Sequence, residues 1–313
     1  MKWSLTPLGP FDLGLTAWVL RRDPRNQIDR WDGRQFQRAM LIDGRVIDVS
    51  VTQTGTVASP ELAVAAGPRR LTASQLGLIN ANLDKLLGLQ VDVRPFMAFA
   101  ALHRPLDKLA ARFVGLKPPQ FLSVFEALIN AISCQQLSLR VGIGLMNQLS
   151  RRFGRINEDG SAFAFPSPAD LLSASADDLR AIGYSYTKAR NILELARAVG
   201  GGDLDLEAID HLDDEDVIAQ LQRLGGVGRW TAQYVLLRGL RRLHVFPADD
   251  VGVANKLRSW LHLGERRLDY DAVNKAVRRF STFKGYLYFY MLINHLDEIG
   301  ALRTEASFAQ QKG

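Results

Sequence analysis

The chain has 313 residues, of which 39 are Lys or Arg and 33 Asp or Glu, for a net charge of +6. That length is enough for two domains, or three small lobes, with real cores; the modest positive excess suits a polyanionic partner without proving one. The single cysteine excludes a disulfide framework and a zinc or iron–sulfur site built on cysteine.

The opening Met1-Lys2-Trp3-Ser4 lacks the apolar core of a signal peptide. The least charged stretch, residues 121–139, carries Glu126, Asn130, Gln135 and Gln136, which suits a buried helix better than a membrane span. A soluble, cytoplasmic protein is expected.

Residues 1–90 read as an α+β lobe. Asp43-Gly44 is a hairpin signal between two β-rich runs from Gln35 to Thr52. Ile47, Val49 and Val51 alternate onto one face, with Asp48, Ser50 and Thr52 on the other. Leu62, Val64 and Ala66 predict a further short strand. Thr72-Ala73-Ser74-Gln75 has the spacing of a capping box, and the helix it opens places Leu76, Ile79, Leu83, Leu86 and Leu87 on its apolar side.

From residue 91 to 313 the pattern is helical. Phe125, Leu128, Ile129 and Ile132 mark one helix; Val141, Leu145 and Leu149 mark the next. Between them lies Ser133-Cys134-Gln135-Gln136-Leu137-Ser138, a polar patch in an apolar setting. Its groups are either helix caps and a satisfied core glutamine, or groups exposed for use. Ser167-Pro168 starts another helix as N-cap and first helical residue. The run Ala189, Ile192, Leu193, Leu195 and Ala196 predicts a further amphipathic one, with Lys188 and Arg190 on its solvated face or at a phosphate.

The rest of the chain turns on residues 224–250. They open with Leu224-Gly225-Gly226-Val227-Gly228-Arg229-Trp230-Thr231-Ala232 and close with Phe246-Pro247-Ala248-Asp249-Asp250. Helical periodicity precedes and follows, so residues 213–240 read as helix, tight glycine hairpin, helix. Bare amide groups at the start of the second helix suit a phosphate. The plain alternative is an αα-corner with a glycine cap.

Taken together, the hairpin, G-R-W-T-A and F-P-x-D-D resemble the helix-hairpin-helix DNA glycosylase superfamily, in its bacterial 3-methyladenine glycosylase II (alkylation-repair) branch. The resemblance extends to Pro10-Phe11-Asp12, to the I-x-x-Q-x-x-S region and to the F-P-x-P … K-A-R pattern. The single cysteine sets the chain apart from the four-cysteine branches. The implied fold is α+β: a small N-terminal antiparallel sheet and helix, then a mostly helical region.

The resemblance implies a monofunctional glycosylase that flips out alkylated, cationic purines such as 3-methyladenine. By motif position the catalytic carboxylate is Asp250, which stabilises the oxocarbenium-like sugar, unless it merely N-caps the next helix. Trp230 stands where strand-cutting members carry a nucleophilic Lys, so no lyase step is expected. The expected base pocket is Trp230, Tyr234, Phe283 and Trp18. DNA contacts are expected from Gly225, Gly226, Val227, Gly228, Arg229 and Thr231, from Ser133, Gln135 and Gln136 at the minor-groove wedge, and from the basic run Arg238, Arg241 and Arg242. No cofactor and no catalytic metal are implied; a structural monovalent cation on the backbone of Leu224 and Gly226 is. The implied partner is duplex DNA carrying alkylated bases, bound by a nucleoid-associated monomer that leaves abasic sites to a downstream endonuclease. Two other readings stay open: a glycosylase for deaminated or oxidised bases, and a non-catalytic DNA-binding module.

Overall fold

The computed structural model describes residues 1–67 and 70–302; the end of the expected catalytic region, residues 303–313, lies outside the described residues. Five strands, β1 (Lys2–Leu5), β2 (Arg30–Trp31), β3 (Gln35–Ile42), β4 (Arg45–Gln53) and β5 (Leu62–Ala66), form one antiparallel sheet in the order β1-β5-β4-β3-β2. The β3–β4 turn is Asp43-Gly44, with φ of 47° and 77°. Positive φ at both central residues is what a two-residue hairpin needs to follow the strand twist. As the alternation predicts, Ile47, Val49 and Val51 are buried.

Two helices complete this lobe: α1 (Leu13–Arg21), capped by Asp12, and α2 (Ala73–Leu87), opened by a reciprocal Thr72–Gln75 capping box. The helical region follows as α3 (Arg94–Ala101), α4 (Leu106–Arg112), α5 (Val124–Cys134), α6 (Leu139–Phe153), α7 (Ala176–Ala181), α8 (Tyr186–Gly200), α9 (Asp214–Leu221), α10 (Arg229–Arg238), α11 (Val251–Trp260), α12 (Tyr270–Val277) and α13 (Lys284–Glu298). Pro168–Leu171 is a short 3-10 turn, not the full helix its cap signal predicted. None of the described helices is long and apolar enough to cross a membrane.

Two hydrophobic cores organise these elements. The first joins the inner face of the sheet to α2, α5, α6, α8 and α10. The second is built by α3, α4, α11, α12 and α13. Helix α10 belongs to both, with Leu236 in the first and Leu237 in the second, and α1 is divided likewise between Leu20 and Trp18. Residue 90 is therefore a change of secondary structure across which the first core runs unbroken.

A buried ion triad fastens the sheet to α5. The Arg38 guanidinium, on β3, bonds Asp29 through one nitrogen and both oxygens of Glu126 at 2.8 Å through the other. All three side chains are buried. Removing one member of such a group strands the remaining charges out of water, which costs about 3–5 kcal/mol. Arg38→Met should lower unfolding free energy by roughly that amount in a urea titration. Because the core is shared, the near-ultraviolet signal and the helical signal should be lost in one transition.

Candidate functional site

The hairpin owes its shape to two glycines. Gly226 adopts φ +78°, and a Cβ there would lie 2.3 Å from Asn191 Nδ2; at Gly225 it would lie 2.9 Å from Asn191 Oδ1. Asn191, on α8, thus occupies the space that side chains would need. Leu224 N donates to Leu221 O, and Val227 N to Leu224 O, each at 3.1 Å, winding the chain tightly out of α9. Gly228 caps α10 without a side chain. The helix's first internal bond is Ala232 N to Gly228 O, so its leading amides point outward as an anion seat.

Gln135, at the end of α5, clasps this hairpin to the α5–α6 turn. Its Nε2 donates to Gly226 O at 2.8 Å and to Thr231 Oγ1 at 2.9 Å. Lys188, on α8, donates to Gln135 O at 2.7 Å and Ser133 O at 3.3 Å, placing its charge at the negative end of the α5 dipole. Both carbonyls expected to hold a cation already accept one hydrogen bond, Leu224 O from Val227 and Gly226 O from Gln135. Each keeps one lone pair for such an ion.

The two aspartates have different surroundings. Asp249 accepts both Nε and Nη2 of Arg229, at 2.7 and 3.2 Å, and that guanidinium lies 3.5 Å over the Tyr270 ring. Asp250 caps α11: its Oδ1 accepts Val253 N at 3.0 Å, while Oδ2 has only the Tyr288 hydroxyl at 3.5 Å. One carboxylate is consumed by a bidentate pair; the other keeps an oxygen free. Geometry favours Asp250 for chemistry.

Aromatic rings stand on the first turns of α10. Trp230 and Tyr234 lie 5.5 Å apart at a 34° tilt, and the buried Trp230 Nε1 has no partner among the described residues. Tyr234 donates to Asn130 Oδ1 at 2.8 Å and accepts from Arg22 at 3.0 Å. Arg238 stacks on Phe121, Tyr234 and Phe289 at 4.9 to 5.8 Å. Burial pushes the phenols of Tyr234 and Tyr288 up, and the Asp250 charge pushes the same way.

Several expected contacts lie elsewhere. Ser133 is fully buried with its hydroxyl 2.8 Å from that of Tyr184, so it is a core group and cannot be a wedge. The tip of the turn is instead Gln136, at φ 54°, and Leu137, 43% exposed. Phe283 packs with Phe96, Phe99 and Tyr286 in the second core, and Trp18 is buried there too, under Arg21. Neither is brought to the Trp230–Tyr234 pair, which belongs to the first core. The basic run is structural. Arg238 is buried, Arg241 bonds the last carbonyls of α2 at Asp84 and Lys85, and Arg242 pairs with Asp214. Lys188 is likewise spent on α5, and Arg229 on Asp249. Tyr288 and Arg22 were missed. Tyr288 sits in the Tyr286-x-Tyr288-x-Tyr290 run, where a helix must turn it away from its neighbours; nothing local singles out Arg22.

Residues 129–281 match the family model of the HhH-GPD superfamily base excision DNA repair proteins. A relative named putative DNA-3-methyladenine glycosylase YfjP, from Bacillus subtilis, is 27% identical over 85% of this chain and 88% of its own length. DNA-3-methyladenine glycosylase 2 of Escherichia coli is 32% identical over 54% of this chain and 58% of its own. Among solved structures, the 3-methyladenine DNA-glycosylase from Archaeoglobus fulgidus superposes with a TM-score of 0.82 at 26% identity, covering 95% of this chain and 98% of that one. With its glycine hairpin and its downstream aspartate in this arrangement, the region 129–281 is similar to the HhH-GPD superfamily of base excision DNA repair proteins.

Proposed function

We propose that this protein is a monofunctional DNA glycosylase that extrudes alkylated purines from duplex DNA, hydrolyses the N-glycosidic bond and leaves an abasic site for an endonuclease. The observation that carries this reading is Asp250: a half-buried carboxylate whose Oδ1 caps α11 and whose Oδ2 has one long hydrogen bond, from the Tyr288 hydroxyl, among the described residues. As the base departs, positive charge develops on the sugar, and an anion fixed beside C1′ stabilises it. The free oxygen also orients the attacking water. An alkylated purine is cationic, so it leaves as a neutral base without a strong general acid. The Trp230 face holds that cation for about 0.5–2 kcal/mol.

Extrusion costs a few kcal/mol. The bare amides of α10 seize backbone phosphate, which positions the duplex without reading sequence, while Gln136 and Leu137 fill the space the base vacates. Trp230 occupies the place of an amine nucleophile, so the strand stays intact.

One observation favours a second reading, excision of a neutral deaminated or oxidised base. Arg22 and Arg238, both buried, flank Tyr234. Fixed positive charge there opposes a cationic base and favours one that leaves as an anion. Release of 3-methyladenine and 7-methylguanine measured beside hypoxanthine and 8-oxoguanine separates the two readings.

Single-turnover assays on methylated duplex test the mechanism. Wild type should free methylated purines and yield strand breaks only after alkali. Asp250→Asn should lose roughly 10²-fold or more in rate with DNA binding intact. Equal rates in the two would mean the wrong carboxylate, and cleavage without alkali would end the monofunctional assignment. Gln135→Ala removes two hydrogen bonds worth about 1 kcal/mol each. It should weaken abasic-duplex binding by about tenfold or more in a fluorescence titration, with a melting temperature close to wild type. Unchanged affinity would show that the hairpin holds its shape without the clasp.

A further inference from the structure

Two positions into α11 beyond Asp250, the exposed Gly252 leaves a gap in the helix face. A Cβ there would stand 3.3 Å from Asp250 Oδ1 and 3.9 Å from Lys256 Nζ. Helical side chains lean towards the N-terminus, so the ammonium four residues on reaches back over the missing side chain towards the carboxylate. Lys256 makes no hydrogen bond or ion pair with the described residues. Its side chain borders a cavity of about 270 Å³ shared with Leu109, Trp260, Met291, His295 and Glu298, which leaves it room to move. Burial lowers its pKa against the opposing pull of Asp250 and Glu298, and a lysine so shifted supplies more of the neutral, nucleophilic amine.

We propose that Lys256 captures the abasic product. Once the base has left, the sugar at Asp250 opens to expose a C1′ aldehyde. The neutral Nζ amine adds to that carbon. One amine proton passes to the carbonyl oxygen, the resulting carbinolamine loses its hydroxyl and the remaining N–H proton as one water, and a C1′=Nζ imine joins protein to DNA. Nothing is oxidised or reduced, and water reverses the step. The strand is not cut, because elimination requires separate removal of a C2′ proton. The imine protects the reactive aldehyde until a following enzyme displaces the glycosylase. The inference relies on the glycosylase reading only to bring the sugar to Asp250.

The test incubates the full chain with duplex carrying a preformed abasic site, in sodium borohydride, which reduces an imine to a stable amine. Wild type should give a covalent adduct on a denaturing gel, with the modified peptide mapping to Lys256. Lys256→Arg, whose guanidinium forms no such imine, and Gly252→Leu, which fills the gap, should each lower the adduct at least tenfold. No adduct in wild type, an adduct on another residue, or full trapping by Lys256→Arg would overturn the proposal. If Lys256→Arg fails to fold, Gly252→Leu decides alone, and full trapping by it counts equally against the proposal. Because the abasic site is supplied ready-made, a wrong lesion class leaves this assay untouched. Absence of trapping alongside normal base release refutes the imine alone.

Discussion

The Asn191 amide fills the space beneath the hairpin that a side chain at Gly225 or Gly226 would need. That steric fact governs much of the site. With the backbone pressed against α8, the chain leaves α9 through two tight turns and enters α10 with its leading amides uncovered. The same close approach lets one glutamine reach both Gly226 O and the Thr231 hydroxyl. The phosphate seat and the turn at the duplex are therefore one rigid body. A glycosylase needs this coupling, since the force that extrudes a base must be resisted by the grip on the backbone beside it.

Local structure also divides the labour of the adjacent aspartates. Asp249 is neutralised by Arg229, which Tyr270 holds flat from the other side. This pair ties the loop before α11 to the first residue of α10 and so fixes how far the catalytic helix stands from the hairpin. Asp250 takes the cap position, where its Oδ1 accepts Val253 N and its Oδ2 is left to the Tyr288 hydroxyl. The cap is what the structure shows, and it leaves the second oxygen available for the proposed catalysis.

Much of this was legible because it is local. The Asp43-Gly44 turn, the Thr72–Gln75 box, the hairpin glycines and the role of Asp250 as a cap each depend on residues within a few positions of one another. What escaped depends on tertiary approach. The sequence signal at Ser133 was polarity in an apolar helix, and Tyr184, fifty-one residues away, consumes it. Phe283 and Trp18 are aromatics of the right kind, but the division into two cores sends them to the other side of α10. The arginines after α10 read as a basic run, yet their partners are helix-end carbonyls and an aspartate far away in sequence. Arg22 gains its place from its left-handed backbone at the end of α1 (φ 60°), which no neighbouring residue announces.

The buried arginines raise a question of charge balance that links stability to chemistry. Arg22, Arg38 and Arg238 lie inside the fold, and only Arg38 has carboxylates in contact. Asp29, one of these, also acts at longer range on Arg22 and Arg238. The remaining negative charge is Asp250, felt by the two tyrosines that Arg22 and Arg238 adjoin. A buried cation without a counter-ion is expensive, and Arg38 meets that cost with two carboxylates at once. On the proposed mechanism Asp250 turns towards a cationic sugar. On that mechanism the arginines beside Tyr234 compete with the sugar for the field of the carboxylate.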